Sequence, residues 1–235
     1  MATELPRALL AVKYEEAAQA YLRSLPLEHF MEATAQATQR KITLESLDLL
    51  HARRPEVQVF NELLVQYPRP RQRRLGQVVP DNMVVLCEQP IRAETSYNLP
   101  LEPARPFWMF EYVSKSNRRK DYEESFVKYE RELKVPYYLV FYAEAQELTL
   151  YHHTGRRYAS VRTNAQDRYA IVELELEVAL LEGWVRFWYQ DGLLPLPAEM
   201  HRELTQLEQR VHEERKARQA AEQELARLRE RLRKA

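Results

Sequence analysis

One cysteine, Cys87, stands among 235 residues. A lone thiol excludes an internal disulfide and a cysteine-built zinc site, and such sparing use suits a reducing interior. Glycine is nearly as scarce, at 4. No Gly-rich phosphate loop occurs, and the G-x-S-x-G nucleophile elbow is missing. Neither sign of charge is in excess: Lys and Arg number 35 against 35 for Asp and Glu. Bulk charge therefore gives no argument for a nucleic-acid partner. No apolar run approaches the roughly 18 residues of a membrane span, and the N-terminus lacks a basic-then-apolar signal pattern. The expectation is a soluble, cytoplasmic protein without a membrane partner.

What is present is enough for one substantial core plus an extension, since 45% of the chain is hydrophobic. The 13 prolines do most of the punctuation. Residues 12–24 and 27–53 read as helices, the second started by Pro26 and closed by Pro55. Residues 57–66, 78–87 and 107–113 are rich in Val, Phe, Tyr and Leu and read as strands, with a loop or hairpin from Glu88 to Pro106. A helix over 121–134 carries the stripe Tyr122, Phe126, Tyr129 and Leu133 and ends at Pro136. The run Tyr137-Tyr138-Leu139-Val140-Phe141-Tyr142 reads as a buried strand. Segments 147–153, 157–163 and 169–178 alternate apolar with polar residues, as in an antiparallel meander. The strand–helix–strand unit over 107–142 implies a parallel crossover. The fold class is α/β: a mixed sheet flanked by helices.

Two carboxylates interrupt these apolar strands. Asp81 follows Pro80 and precedes Met83-Val84-Val85-Leu86; Glu111 lies inside Phe107-Trp108-Met109-Phe110-Glu111-Tyr112-Val113. Burying a charge is costly unless it is paired. On neighbouring strands the two acids would form a site for a hard cation with oxygen ligands. A Pro-Asp turn and a structural salt bridge are the plainer accounts of the same residues. If strand alternation holds, Glu111 shares a face with Met109 and Val113. Local basic clusters flank both acids: Arg69, Arg71, Arg73 and Arg74 before Asp81, and Arg118, Arg119 and Lys120 after Glu111. The adjacent pair His152-His153 sits on a strand, so its rings face opposite ways and cannot chelate one ion together. Tyr14, Tyr21, Trp184, Phe187 and Trp188 read as core rather than as a base-stacking platform.

Asp81 in VVPDNMVV, Glu111 in FWMFEYVSKSNRRKD and the following KYERELKVPYYLVFY resemble the Uma-two family of restriction endonucleases, within the PD-(D/E)-x-K nuclease superfamily. The resemblance covers roughly residues 27–155. It implies a restriction-endonuclease-like mixed sheet and a Mg-dependent DNA endonuclease. It also implies Mg²⁺ (or Mn²⁺) held by Asp81, Glu111 and the backbone carbonyl of Tyr112; the basic clusters, with Arg73, Arg74, Arg118 and Arg119, would then hold the flanking DNA backbone. The superfamily's lysine two residues after the Glu is Val113 here. The family's relocated position, four residues after Asp121, is Ser125. Lys128 lies three residues beyond Ser125 and on the same helix face, so it is the candidate catalytic lysine, with Lys115 as substitute. A Glu on the first core helix of such nucleases points to His29 and Glu32, for which a solvated helix face is the plainer account. Without a suitable lysine, the same fold would act as a catalytically inactive binding or assembly module.

The character of the chain changes near Glu199, which divides it into a nuclease-like domain over 1–198 and a C-terminal coiled-coil helix over 199–235. Leu204, Leu207, Val211, Ala221, Leu225, Leu228 and Leu232 keep a three-four spacing, with Glu214 and Arg218 in the middle of the seam. This reads as a helix of about 50 Å. Left in water, the stripe would forgo roughly 1.5–3 kcal/mol per large side chain. The expected partner is a second copy, forming a homodimer; the opposite charges of Glu214 and Arg218 favour an antiparallel arrangement.

Overall fold

The computed structural model describes residues 6–25, 34–69, 74–113 and 120–234. The chain divides into two compact units, Met1–Leu194 and Pro195–Ala235. The first opens with helices α1 (Arg7–Ser24) and α2 (Thr34–Arg53). Five strands follow: β1 (Val57–Asn61), β2 (Leu64–Tyr67), β3 (Gly76–Val78), β4 (Asn82–Leu86) and β5 (Ser96–Asn98). Then come β6 (Pro106–Val113), a helical segment over 120–133 and β7 (Tyr137–Tyr142). β8 (Glu147–His153) and β9 (Tyr158–Ser160) lead to β10 (Tyr169–Ile171), β11 (Leu176–Leu181), β12 (Trp184–Tyr189) and β13 (Gly192–Leu193). The second unit is α3, Pro197–Lys234.

A six-stranded sheet in the order β1-β4-β6-β7-β8-β9 forms the centre of the first unit. β6 and β7 pair in parallel through the helical crossover and all other neighbours run antiparallel, so the sheet is mixed. The parallel pair is the most deeply buried part, and its strands read as nearly unbroken apolar runs because helices or sheets cover both faces. Alternation along β6 sends Trp108, Phe110 and Tyr112 into a core shared with Leu47 and Leu50 of α2 and with Val178, Val185 and Phe187 of the four-stranded sheet β10-β11-β12-β13. Met109 and Val113 go to the other core, with Tyr129 and Leu133 of the crossover and Val65, Tyr67 and Tyr97 of the three-stranded sheet β3-β2-β5.

Several local details depart from the expected pattern. The strand expected over 57–66 breaks in two at Glu62, whose φ of 48° takes the backbone into the left-handed region. β1 then stays on β4, while β2 leaves for the small sheet. The segment expected as a loop or hairpin contributes β5, paired in parallel with β2. β12, absent from the expected strands, carries Phe187 and Trp188 into the core, as their side chains suggested. The helical crossover is built largely of π-type turns, Lys120–Ser125 and Lys128–Leu133, and ends at Lys134 in the left-handed conformation with φ 52°. An i→i+5 turn takes more residues per revolution than an α-turn. Ser125 ends the first π segment and Lys128 opens the second, with α-helical Phe126 and Val127 between them; Ser125 is buried, Lys128 only partly.

Candidate active site

The register between β4 and β6 builds the site. Asn82 lies opposite Phe110 and Met83 opposite Met109, so the next residue outward on each strand, Asp81 and Glu111, meet across the ladder. The Asp81 N–H donates to Glu111 Oε2 at 3.3 Å. The Tyr112 N–H donates to Asp81 Oδ2 at 2.6 Å. Asp81 has just left the strand; its carbonyl accepts from the Glu62 N–H at 3.2 Å. The break between β1 and β2 thus frames the acid as well as redirecting the chain. Glu111 lies on the face of Met109 and Val113, as alternation predicts.

Glu111 is 1% exposed, and a carboxylate in that setting needs donors. The crossover supplies one. The Tyr129 hydroxyl, itself fully buried, donates to Glu111 Oε1 at 2.6 Å. Burial foremost, and then the negative charge of Glu111, hold the Tyr129 phenol well above its ordinary pKa. It therefore stays a neutral donor throughout the physiological range. The ring is fixed edge-on against Tyr138, with centroids 5.0 Å apart.

The backbone carbonyl of Tyr112 faces the same side of β6 as its N–H, because both groups of one strand residue point toward the same neighbour. It accepts from Gln36 Nε2 of α2 at 2.9 Å. The Tyr112 hydroxyl donates to Asn82 Oδ1 at 2.5 Å. Lys128 Nζ donates to the carbonyl of Gln77 on β3, the strand just ahead of Pro80-Asp81, at 3.0 Å. Val113, at the superfamily's lysine position, is buried in the core, and Ser125, at the family's relocated position, is 1% exposed. Arg74 is exposed ahead of β3. Arg73, Arg118, Arg119, Lys115, His29 and Glu32 lie outside the described residues. His152 and His153 face opposite sides of β8: the His152 ring lies tilted against Tyr137, centroids 4.8 Å apart, and His153 Nε2 meets the Glu130 carbonyl at 2.9 Å.

The donor set fits a hard divalent cation. Asp81, Glu111 and Tyr112 put two carboxylates and one carbonyl at this edge, and among the described residues no group of three or more His, Cys, Asp and Glu could hold a metal ion. Mg²⁺ keeps several of its own waters and needs no fuller cage. Both Glu111 oxygens already accept one protein hydrogen bond, yet an ionised carboxylate offers about four lone-pair sites and a carbonyl two.

Gln36 and Tyr129 are the contributors that sequence reasoning did not place. Tyr129 reads as one member of an apolar stripe, and its hydroxyl carries no distinguishing signal. Gln36 had a signal: Gln36, Gln39, Thr43 and Ser46 form a polar stripe at helical spacing, and the last three are buried. Most polar side chains on the buried face of a helix find partners, although the Ser46 hydroxyl here has no hydrogen-bond partner among the described residues. Gln39 finds them on β12, donating to the Val185 carbonyl at 3.1 Å and accepting from its N–H at 2.8 Å.

No curated protein matches the chain. A crystal structure described as a putative nuclease belonging to DUF820 from Anabaena variabilis ATCC 29413 is similar to it. The TM-score is 0.46 and the identity 11%, over 61% of this chain and 75% of that one. Residues 30–182, which hold both acids, Gln36 and the whole crossover, match the Uma2 family, whose description reads "Putative restriction endonuclease", and the chain belongs to that family.

Proposed function

We propose that the protein is a divalent-metal-dependent endonuclease, using Mg²⁺ or Mn²⁺, that hydrolyses phosphodiester bonds in DNA. The observation that carries this reading is the meeting of Asp81 and Glu111 across β4 and β6, with the Tyr112 carbonyl on the same edge. Asp81, Glu111 and that carbonyl would hold the ion, which when bound lowers the pKa of a water and polarises a phosphate oxygen. Tyr129 fixes one oxygen of Glu111 and the Asp81 N–H the other, so the carboxylate is oriented before any ligand arrives. Gln36 holds the Tyr112 carbonyl on the same principle. Lys128 is the candidate ammonium for orienting the nucleophile or stabilising the developing charge. Arg74, with Arg73, Arg118 and Arg119, would contact flanking phosphates, giving salt-dependent affinity without sequence choice.

A second reading, an inactive nuclease-fold binding or assembly module, is favoured by one observation: Ser125 and Val113 occupy both positions at which the family and superfamily carry lysine. One assay separates the two. Purified protein is incubated with plasmid, linear and single-stranded DNA in Mg²⁺ or Mn²⁺, beside Asp81→Asn, Glu111→Gln and Lys128→Ala. The nuclease reading expects cleavage by the wild type, none by the carboxylate variants, and strongly slowed turnover with metal-dependent stabilisation retained in Lys128→Ala. Metal-dependent stabilisation without cleavage of any substrate would establish the module reading instead.

A further inference from the structure

We infer that α3 pairs with α3 of a second copy, antiparallel and in one register, about a two-fold axis passing level with Lys216. The inference is independent of the nuclease reading. α3 runs unbroken from Pro197 to Lys234, and its large apolar residues are exposed, from 40% for Met200 to 79% for Leu232. They occupy strict heptad positions: Leu204, Val211, Leu225 and Leu232 at a, Leu207 and Leu228 at d, with Ala221 also at d and Arg218 and Glu214 filling the remaining a and d. Such a seam is covered by another helix carrying the same repeat.

The seam reads the same from both ends, and this selects the occupant. Antiparallel about Lys216, each a residue of one copy meets a d residue of the other. Leu232 meets Met200, Leu228 meets Leu204, Leu225 meets Leu207 and Val211 meets Ala221. The one polar layer sets Glu214 against Arg218, twice by symmetry, as an isologous interface requires. Beside the seam, Glu203 lies only two residues, about 3 Å along the axis, from Arg231 of the other copy, both side chains leaning toward each other because each points back along its own helix. Every core layer and this flanking pair are complementary in one register. Within its own helix Arg218 also donates to Glu222, at 2.9 Å.

A parallel pair does worse on each count. It sets Glu214 beside Glu214 and Arg218 beside Arg218 in the core. Its flanking contacts place Glu203 by Glu208 and Arg210 by Arg215, two like-charge pairs against the one opposite pair of Glu224 and Arg229.

The test is disulfide trapping in full-length protein carrying Cys87→Ser, which removes the native thiol. Leu204→Cys and Leu228→Cys are made separately, oxidised alone and oxidised as a mixture. In the proposed register, position 204 of one copy lies against 228 of the other and about 36 Å from its own equivalent at 1.5 Å per residue. Only the mixture should give the covalent dimer. Dimers from either variant alone would mean parallel pairing, and no dimer in any tube would mean no self-pairing; either result overturns the inference. Adding Glu214→Arg to both variants should cut the yield several-fold, and adding Arg218→Glu as well should restore it. A yield indifferent to these reversals overturns the register.

Discussion

Tyr129→Phe isolates what holds Glu111 in place. The change removes one oxygen and leaves the ring, so the edge-on contact with Tyr138 survives and no cavity of consequence opens. What is lost is a 2.6 Å hydrogen bond between a fully buried hydroxyl and a carboxylate that is 1% exposed. Bonds to a charged acceptor contribute roughly 1.5–3 kcal/mol. The Asp81 N–H remains on the other oxygen, so Glu111 is not stripped of donors. At about 2–4 °C per kcal/mol for a chain of this size, the melting temperature should fall by roughly 3–12 °C. The decisive form is a double-mutant cycle of Tyr129→Phe with Glu111→Gln, read by thermal unfolding without metal. The two residues touch, so the coupling should reach about 1 kcal/mol or more. If the single effects add within about 0.5 kcal/mol, the hydroxyl does not stabilise the carboxylate, and the account of an oriented Glu111 fails.

Other consequences are accessible to the same instruments. If Asp81 and Glu111 hold an ion, Mg²⁺ or Mn²⁺ at 100 times its Kd should stabilise the wild type by about 2.7 kcal/mol and leave Asp81→Asn unmoved; equal shifts in both would place the ion elsewhere. Gly76 sits opposite Tyr67 on the paired strand, and a Cβ there would fall 2.1 Å from Tyr67 Cε2. Gly76→Ala should therefore cost about 1–3 kcal/mol, and Tyr67→Leu in the same chain should recover part of the loss, whereas a neutral Gly76→Ala would contradict the contact. Burial raises the phenol pKa of Tyr67, Tyr97, Tyr129 and Tyr158 above the ordinary value. Their contribution is complete below about pH 10, where the unfolded chain also keeps its protons, and is lost as pH rises, at about 1.4 kcal/mol per pH unit for each. Denaturant melts at pH 9, 10 and 11 should show a steep alkaline decline; a flat profile to pH 11 would refute it.

Much of the fold was legible where one residue's neighbours in sequence are also its neighbours in space. Alternation along β6 put Glu111 on the face of Met109 and Val113, and the strand–helix–strand order gave the parallel β6–β7 pair. The apolar run of β7 announced a doubly covered strand. The elements that escaped depend on distant partners. β5 is three residues whose pairing is with β2, some thirty positions earlier. β1 and β2 look like one strand until Glu62 turns the backbone. Gln36 is one polar residue among several on α2 until the Tyr112 carbonyl is placed beside it.

The sequence alone determined which residues could do chemistry and which faces were apolar, because side-chain periodicity is set by the local geometry of helix and strand. It also carried the heptads of α3, and with them the charge order along the seam. Tertiary structure decided what those residues meet. The β4–β6 register brought Asp81 to Glu111 across thirty residues, and a slip of one position would have turned one acid to the opposite face. The crossover decided that a tyrosine hydroxyl, hidden in an apolar stripe, would be the donor to Glu111. It also carried Ser125 into the interior while Lys128 reached the carbonyl of Gln77, because the winding of a helix and the packing of its faces are fixed by everything it lies against.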